Sequence, residues 1–259
     1  MQTPFPKTLL LVLIAVVVTS CVSSSKITYM QDIYSAKKEG QTKTNYEPKL
    51  QADDLLSIIV SAENPENALP FNLPTIQSNY NTDGTVAQSA IKTYLINTHG
   101  EIDFPVLGKI KLAGLTHTEA HDKLVALVSD YIKNPGINLY LLNFKVSVLG
   151  EVNRPGSIPV KGERITLLEA LSIAGDLTIY GKRNNILVIR EQNGEKTYQS
   201  IDITKSSFIH SPFYYLSQND VVVVHPNKTK INGAAVGPNS TIILSSISLL
   251  LTLLILLKK

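Results

Sequence analysis

The sequence predicts an α+β fold. Two small β-rich domains, over residues 45–143 and 144–226, are followed by a C-terminal transmembrane helix over 241–259. Three observations predict it. Short apolar stretches of strand length recur between Gly, Pro and Asn. Two Thr-x-x-Glu-Ala motifs, at Thr116 and Thr166, each open a helical period between strands. Apolar runs stand at both ends of the 259-residue chain, Leu9 to Val18 and Ile242 to Leu257.

The N-terminal run has the length of a signal-peptide core and is too short to span a bilayer. Lys7 and the free amine make its positive flank, and Val18-Thr19-Ser20 lead into Cys21. This pattern resembles the bacterial lipobox, which implies lipidation of Cys21 and removal of residues 1–20. Cys21 is the only cysteine, so no disulfide framework exists despite export. Removing Lys7 leaves 23 basic and 21 acidic residues, a net charge of +2. A chain so near neutrality, without a basic block, is not expected to bind nucleic acid. Val22-Ser23-Ser24-Ser25-Lys26 follows the cysteine, without an aspartate in second place. By the sorting rules of such lipoproteins, this implies the outer membrane with the body in the periplasm. The alternative is the inner membrane.

Residues 21–44 are polar and lysine-rich and read as a tether. Leu55 to Ala62 is a strand after the Asp53-Asp54 turn. Residues 63 to 90 have little periodicity and read as a long loop. Short strands follow at Thr93 to Ile96, Ile102 to Phe104 and Lys109 to Leu112. Thr116 and Glu119 form a capping box, and the helix runs to about Tyr131 with Ala120, Leu124, Leu127 and Val128 buried. Asn134-Pro135-Gly136 stops it, and Ile137 to Leu142 is a strand.

The same grammar then repeats. Lys145 to Leu149 is a strand, and residues 150–156 turn the chain. Thr166 and Glu169 cap a second helix, with Gly175 as its C′ residue. Asn185 to Arg190 and Lys196 to Asp202 flank Asn193-Gly194, a hairpin signal. Val221 to His225 is the last strand, and residues 227–240 form a linker.

In the terminal segment, Thr241, Ser245, Ser248 and Thr252 are spaced 4, 3 and 4 apart. At about 100° per residue they fall within an arc of roughly 60°. This stripe, with Ile243, Ile247, Leu250 and Leu254 opposite, is one face of a simple membrane anchor or, in a ring of such helices, a candidate pore-facing surface.

Other chemistry is sparse. His117 and His121 sit at i and i+4, but the pattern is His-Thr-Glu-Ala-His with no third ligand, so no metal site is expected. No Gly-x-Ser-x-Gly elbow, P-loop or Cys-x-x-Cys occurs, and Asp53-Asp54 reads as a turn, not an acid/base pair. No catalytic residue and no cofactor is assigned. Trp is absent, so a sugar-stacking surface would fall to tyrosines, Tyr214-Tyr215 above all.

Tyr46 to Val60, centred on Asp54-Leu55-Leu56-Ser57-Ile58, resembles the opening of the polysaccharide export domain. The segment from Gly100 to Thr116 is similar to that domain's most distinctive stretch. Val148 to Val152 with Arg154-Pro155-Gly156, then Leu167 to Gly175 and Asp220 to Val223, resemble an SLBB domain, a β-grasp-like module. Together these are similar to the Wza-type outer-membrane polysaccharide export lipoproteins. The resemblance implies an oligomeric conduit for capsular or extracellular polysaccharide that catalyses nothing. Its implied partners are further copies of the chain in an octamer-like ring, an inner-membrane polysaccharide co-polymerase of tyrosine-kinase type, the polysaccharide and the lipid bilayer. The alternative is a non-conducting periplasmic sugar-binding or scaffold lipoprotein. The chain departs from the family where Ala52-Asp53-Asp54 replaces Pro-Gly-Asp, where Ala174-Gly175-Asp176 replaces Ala-Gly-Gly, and in carrying one SLBB unit.

Overall fold

The computed structural model describes residues 27–35, 46–73, 93–192, 194–237 and 240–257. The first half opens with β1 (Leu55–Ser61), whose Leu56, Ile58 and Val60 turn inward. A short helix α1 (Pro65–Ala68) and a 3-10 turn (Leu69–Phe71) follow, inside the stretch expected to be loop. After them come β2 (Tyr94–Leu95), β3 (Glu101–Phe104), β4 (Gly108–Lys111), α2 (His117–Ser129) and β5 (Gly136–Leu141). β1 is central in the antiparallel sheet β2-β1-β5, while β3 and β4 pair as a separate hairpin.

Helix α2 begins where the sequence says it should. Thr116 Oγ1 accepts from the Glu119 N–H at 3.2 Å, and Glu119 Oε2 accepts from the Thr116 N–H at 2.8 Å. Ala120, Leu124 and Val128, each one turn apart, are buried, and Leu127 is partly buried at the edge of the same core.

The second half holds β6 (Lys145–Gly150), β7 (Gly156–Pro159), β8 (Ile165–Thr166), α3 (Leu167–Ile173), β9 (Gly181–Gln192), β10 (Glu195–Ile201), β11 (Tyr215–Leu216) and β12 (Val221–Pro226). The five-stranded order is β10-β9-β12-β6-β7, with β12 parallel to β6 and the other pairs antiparallel. A second capping box starts α3, between Thr166 and Glu169. Gly175, at φ +77°, ends it, where a side chain would be strained. Its N–H reaches Ser172 O at 2.9 Å and the Asp176 N–H reaches Leu171 O at 2.8 Å, closing the helix end. Gln192 pairs with Glu195, so the β9–β10 hairpin turns on two residues, as Asn-Gly implies.

Two buried clusters result. One runs from Leu50 to Leu139, the other from Phe144 to Val224, and Leu141 packs on both. Part of the segment expected to be tether is docked. Met30 N–H bonds Ile203 O at 3.0 Å, Gln31 N–H bonds Thr204 O at 2.8 Å, and the Tyr29 hydroxyl bonds the Asp176 carboxylate. Within the expected linker, Asn227 caps a further helix, α4 (Lys228–Val236), by accepting from the Lys230 N–H at 3.0 Å.

The expected C-terminal transmembrane helix over 241–259 is corrected by the structure. The segment does form a helix, α5 (Ser240–Leu257, 18 residues). No helix among the described residues, however, is long and apolar enough to cross a membrane. Eighteen residues rise about 27 Å against a hydrocarbon core of about 30 Å. Six hydroxyl residues, Ser240, Thr241, Ser245, Ser246, Ser248 and Thr252, also interrupt the apolar run. The described fold is two β-rich α+β halves without that element.

Candidate functional site

The chain crosses between its halves over residues 142–144, and two amides hold that crossing. Asn143 works on the first half: its Oδ1 accepts from the Leu55 N–H at 2.9 Å, and its Nδ2 donates to Asp53 O at 2.9 Å. Gln218 works from the second half: its Oε1 accepts from the Lys145 N–H at 2.8 Å, and its Nε2 donates to Asn143 O at 2.9 Å. The Asn219 N–H adds a bond to Lys145 O at 2.9 Å. Each such bond contributes about 1 kcal/mol net, and leaving buried Gln218 unpaired would cost more. An aromatic clamp closes the other side. The Tyr46 ring stacks on Tyr215 with centroids 4.9 Å apart and planes 9° from parallel, and its hydroxyl lies 2.8 Å from Ser217 Oγ.

Both halves place a buried aspartate at the root of a strand, in the same local geometry. Asp54 Oδ2 accepts from the Gln51 N–H at 2.8 Å, and Asp220 Oδ2 accepts from the Ser217 N–H at 2.8 Å. The preceding residues, Asp53 and Asn219, both take left-handed backbone at φ +68° and +63°. The carboxylates then part company. Asp220 meets Arg190, with Nη2 to Oδ2 at 2.7 Å and Nε to both oxygens at 3.0 and 3.1 Å. Burial pushes the Asp220 carboxyl up, against the opposing pull of the guanidinium. Among the described residues Asp54 meets no cation, and its Oδ1 has no hydrogen-bond partner. Burial, with a smaller push from the Asp53 charge, raises the Asp54 carboxyl to about 6 against the Gln51 bond.

Between the halves lies a cleft of about 190 Å³. Leu139, Leu141 and Phe144 are on its apolar side, with Tyr140, Lys161 and Gln218 among its polar lining. A second hollow of about 440 Å³ shares Pro48, His117, Gly162 and Glu163 with it and adds Tyr46, Glu47 and Arg164. His117, the first residue of α2, stands at the junction. Its Nε2 lies 2.8 Å from Leu139 O, so that nitrogen donates, and its Nδ1 is 3.8 Å from Glu163 Oε1 across the gap. His121 is engaged elsewhere, with Nδ1 3.1 Å from Asp122 Oδ1, so the two imidazoles do not converge.

The residues singled out from the sequence are dispersed. Cys21 lies outside the described residues, as does the Thr241 side chain. Ser245, Ser248 and Thr252 are exposed on α5. Ser245 Oγ donates to Ile242 O at 3.0 Å and Thr252 Oγ1 to Ser248 O at 2.9 Å, the back-bonding that helix hydroxyls ordinarily make. The Tyr215 ring is taken up by Tyr46, by Tyr214 edge-on at 5.0 Å, and by Arg164, whose guanidinium carbon is 5.3 Å from its centroid. The exposed ring on the cleft is instead Tyr140, at 56%. Sequence reasoning missed the cleft. The one local signal was Lys161-Gly162-Glu163-Arg164, a charged turn between two strands.

Comparison with known proteins accounts for both halves. Residues 42–142 match the family described as polysaccharide biosynthesis/export protein, and residues 145–200 match the SLBB domain. The chain is 28% identical over 201 residues to the EPS I polysaccharide export outer membrane protein EpsA of Ralstonia solanacearum, a match covering 75% of this chain and 52% of that protein. The EpsA protein of Ralstonia nicotianae matches at the same 28% over 201 residues, with the same coverage. The chain thus spans about half the length of the curated relatives it matches.

Proposed function

Because the chain joins a polysaccharide biosynthesis/export domain to an SLBB domain, we propose that it is an outer-membrane polysaccharide export protein and not an enzyme. The observation that carries this reading is the pair of domain matches, residues 42–142 to the export family and 145–200 to the SLBB domain. The relatives' description as outer membrane export proteins agrees with it. Lipid on Cys21 holds the body at the periplasmic side of the outer membrane. The chain works as a ring of identical copies through which capsular or extracellular polymer leaves, and an inner-membrane polysaccharide co-polymerase delivers that polymer. Two features support assembly. Asn143, Gln218 and the Tyr46–Tyr215 stack tie the two halves together. Ile59 and Leu95 stand about half exposed on the outer face of the paired strands β1 and β2.

Deleting the gene is expected to abolish polymer outside the cell while synthesis continues, and a wild-type copy restores it. Normal external polymer in the deletion strain would refute the export role. Labelling with a radioactive fatty acid is expected to mark the wild type and not Cys21→Ala; equal label in both would refute the lipid anchor.

A further inference from the structure

We infer that the cleft between the two halves is a binding site for a polysaccharide segment bearing carboxylates, such as a run of uronic acid residues. The inference rests on the export reading and adds the place and the chemistry of polymer contact.

Three observations meet there. First, the cleft is concave and continuous with a second hollow, on the scale of a few hundred Å³ that ligand sites occupy. Second, it offers an open aromatic face. Tyr140 lines the cleft and is more than half exposed, on the face of β5 opposite the buried Leu139. The C–H face of a pyranose buries apolar area against such a ring, while the tyrosine hydroxyl stays available to sugar hydroxyls. Third, the charges on its rim are uneven. Lys49, Lys161 and Arg164 line the two hollows, and none makes an ion pair among the described residues. Two acids share these hollows, Glu47 and Glu163, so the three cations outnumber them.

A neutral glycan would gain little from three cations that make no ion pair among the described residues, and a hydrophobic peptide would leave them and the two acids unsolvated. A carboxylated sugar places its anion against Lys161 and Arg164 and its ring against Tyr140. Because the rim is solvated, each contact is modest and screened by salt. A site of this kind holds a passing polymer briefly, which suits transport better than tight capture. The Asn143–Gln218 clamp keeps the two walls, which come from different halves of the chain, at a fixed spacing.

The test uses the full chain purified in detergent and isothermal titration calorimetry with hexagalacturonate. Its fully methyl-esterified form, the same backbone without charge, is the control. The acid form is expected to bind saturably, at least tenfold tighter than the ester, and more weakly as salt rises. The double substitution Lys161→Gln/Arg164→Gln is expected to weaken it at least tenfold in a chain whose far-UV circular dichroism is unchanged, with only a small fall in Tm from the lost contact of Arg164 with the Tyr215 ring. Tyr140→Ala is expected to weaken both forms. Equal affinity for acid and ester, no binding of either, or full binding by the double variant would overturn the inference. So would a change in oligomeric mass in the double variant with binding intact, which would make the cleft a contact between copies. The export assay separates this from the broader reading. If gene deletion stops export but the purified chain ignores hexagalacturonate, the site is refuted and the export function stands. If deletion leaves export intact, the function is refuted on its own evidence.

Discussion

Replacing Asp54 by Asn should make the chain's stability respond to pH in a way that no surface change would. Asp54 is 1% exposed, meets no cation among the described residues, and has its carboxyl pushed up to about 6 in the folded chain against an ordinary 3.8. That gap is worth about 3 kcal/mol, at 1.36 kcal/mol for each pKa unit. The sign follows from linkage. Because folding raises this acid's pKa, the favourable contribution is present below about 3.8 and is lost as pH rises through about 6. The wild type should therefore lose about 3 kcal/mol through this one group between pH 4 and pH 7.5. Asn cannot ionise, and its side-chain oxygen can keep the Gln51 N–H bond. Its amide then occupies the place of the unpartnered Oδ1, at a cost of about 1–3 kcal/mol. The variant should be less stable than the wild type at pH 4 and equal or up to about 2 kcal/mol more stable at pH 7.5. Urea unfolding followed by far-UV circular dichroism at several pH values measures this, with the slope against urea checking that the unfolding reaction is unchanged. Stability curves for the two proteins that run parallel with pH would refute the reasoning.

The sister position should behave in the opposite way. Asp220→Asn leaves the Arg190 guanidinium buried without its counter-ion, so about 3–5 kcal/mol should be lost at pH 7.5, and Tm should fall by roughly 6–20 °C in a thermal melt. Gly150 stands at φ +89° where β6 pairs with β12, and a Cβ there would lie 2.1 Å from Val224 O. Gly150→Ala should cost roughly 2–4 kcal/mol from backbone strain and overpacking, read by the same melt, and an unchanged Tm would show that the strand pair shifts to make room.

What was legible in the sequence is what is decided within a few residues. The two capping boxes close over three positions, Gly175 and Asp176 end the helix with bonds to Ser172 and Leu171, and the β9–β10 hairpin closes at the Gln192–Glu195 pair. The cleft is a product of distance along the chain. Tyr46 meets Ser217 across 171 positions, and His117 meets Glu163 from another domain, so no window of sequence contains the site. The terminal helix failed for a different reason. Mean apolarity marks a segment that avoids water, but spanning also needs length, and the hydroxyls of α5 leave too short an apolar run.

The departures from the family pattern also become intelligible at this level. Asp53 stands where Pro-Gly-Asp would put glycine, and Asp176 where Ala-Gly-Gly would, and both take left-handed backbone, at φ +68° and +67°. The turn geometry is therefore kept while the residue that adopts it most freely is gone. Aspartate is among the few side chains that enter this region at modest cost, because its short polar group can bond locally. Asp176 does so, with Oδ1 accepting from its neighbour's N–H at Leu177 and from the Tyr29 hydroxyl. Tyr29 belongs to the segment that follows Cys21 by only a few residues. An aspartate at this turn thus fastens the start of the chain to the second half, a contact that glycine could not make. With lipid on Cys21, the membrane anchor would then pull on the SLBB half directly, and the export half would follow through the Asn143–Gln218 clamp.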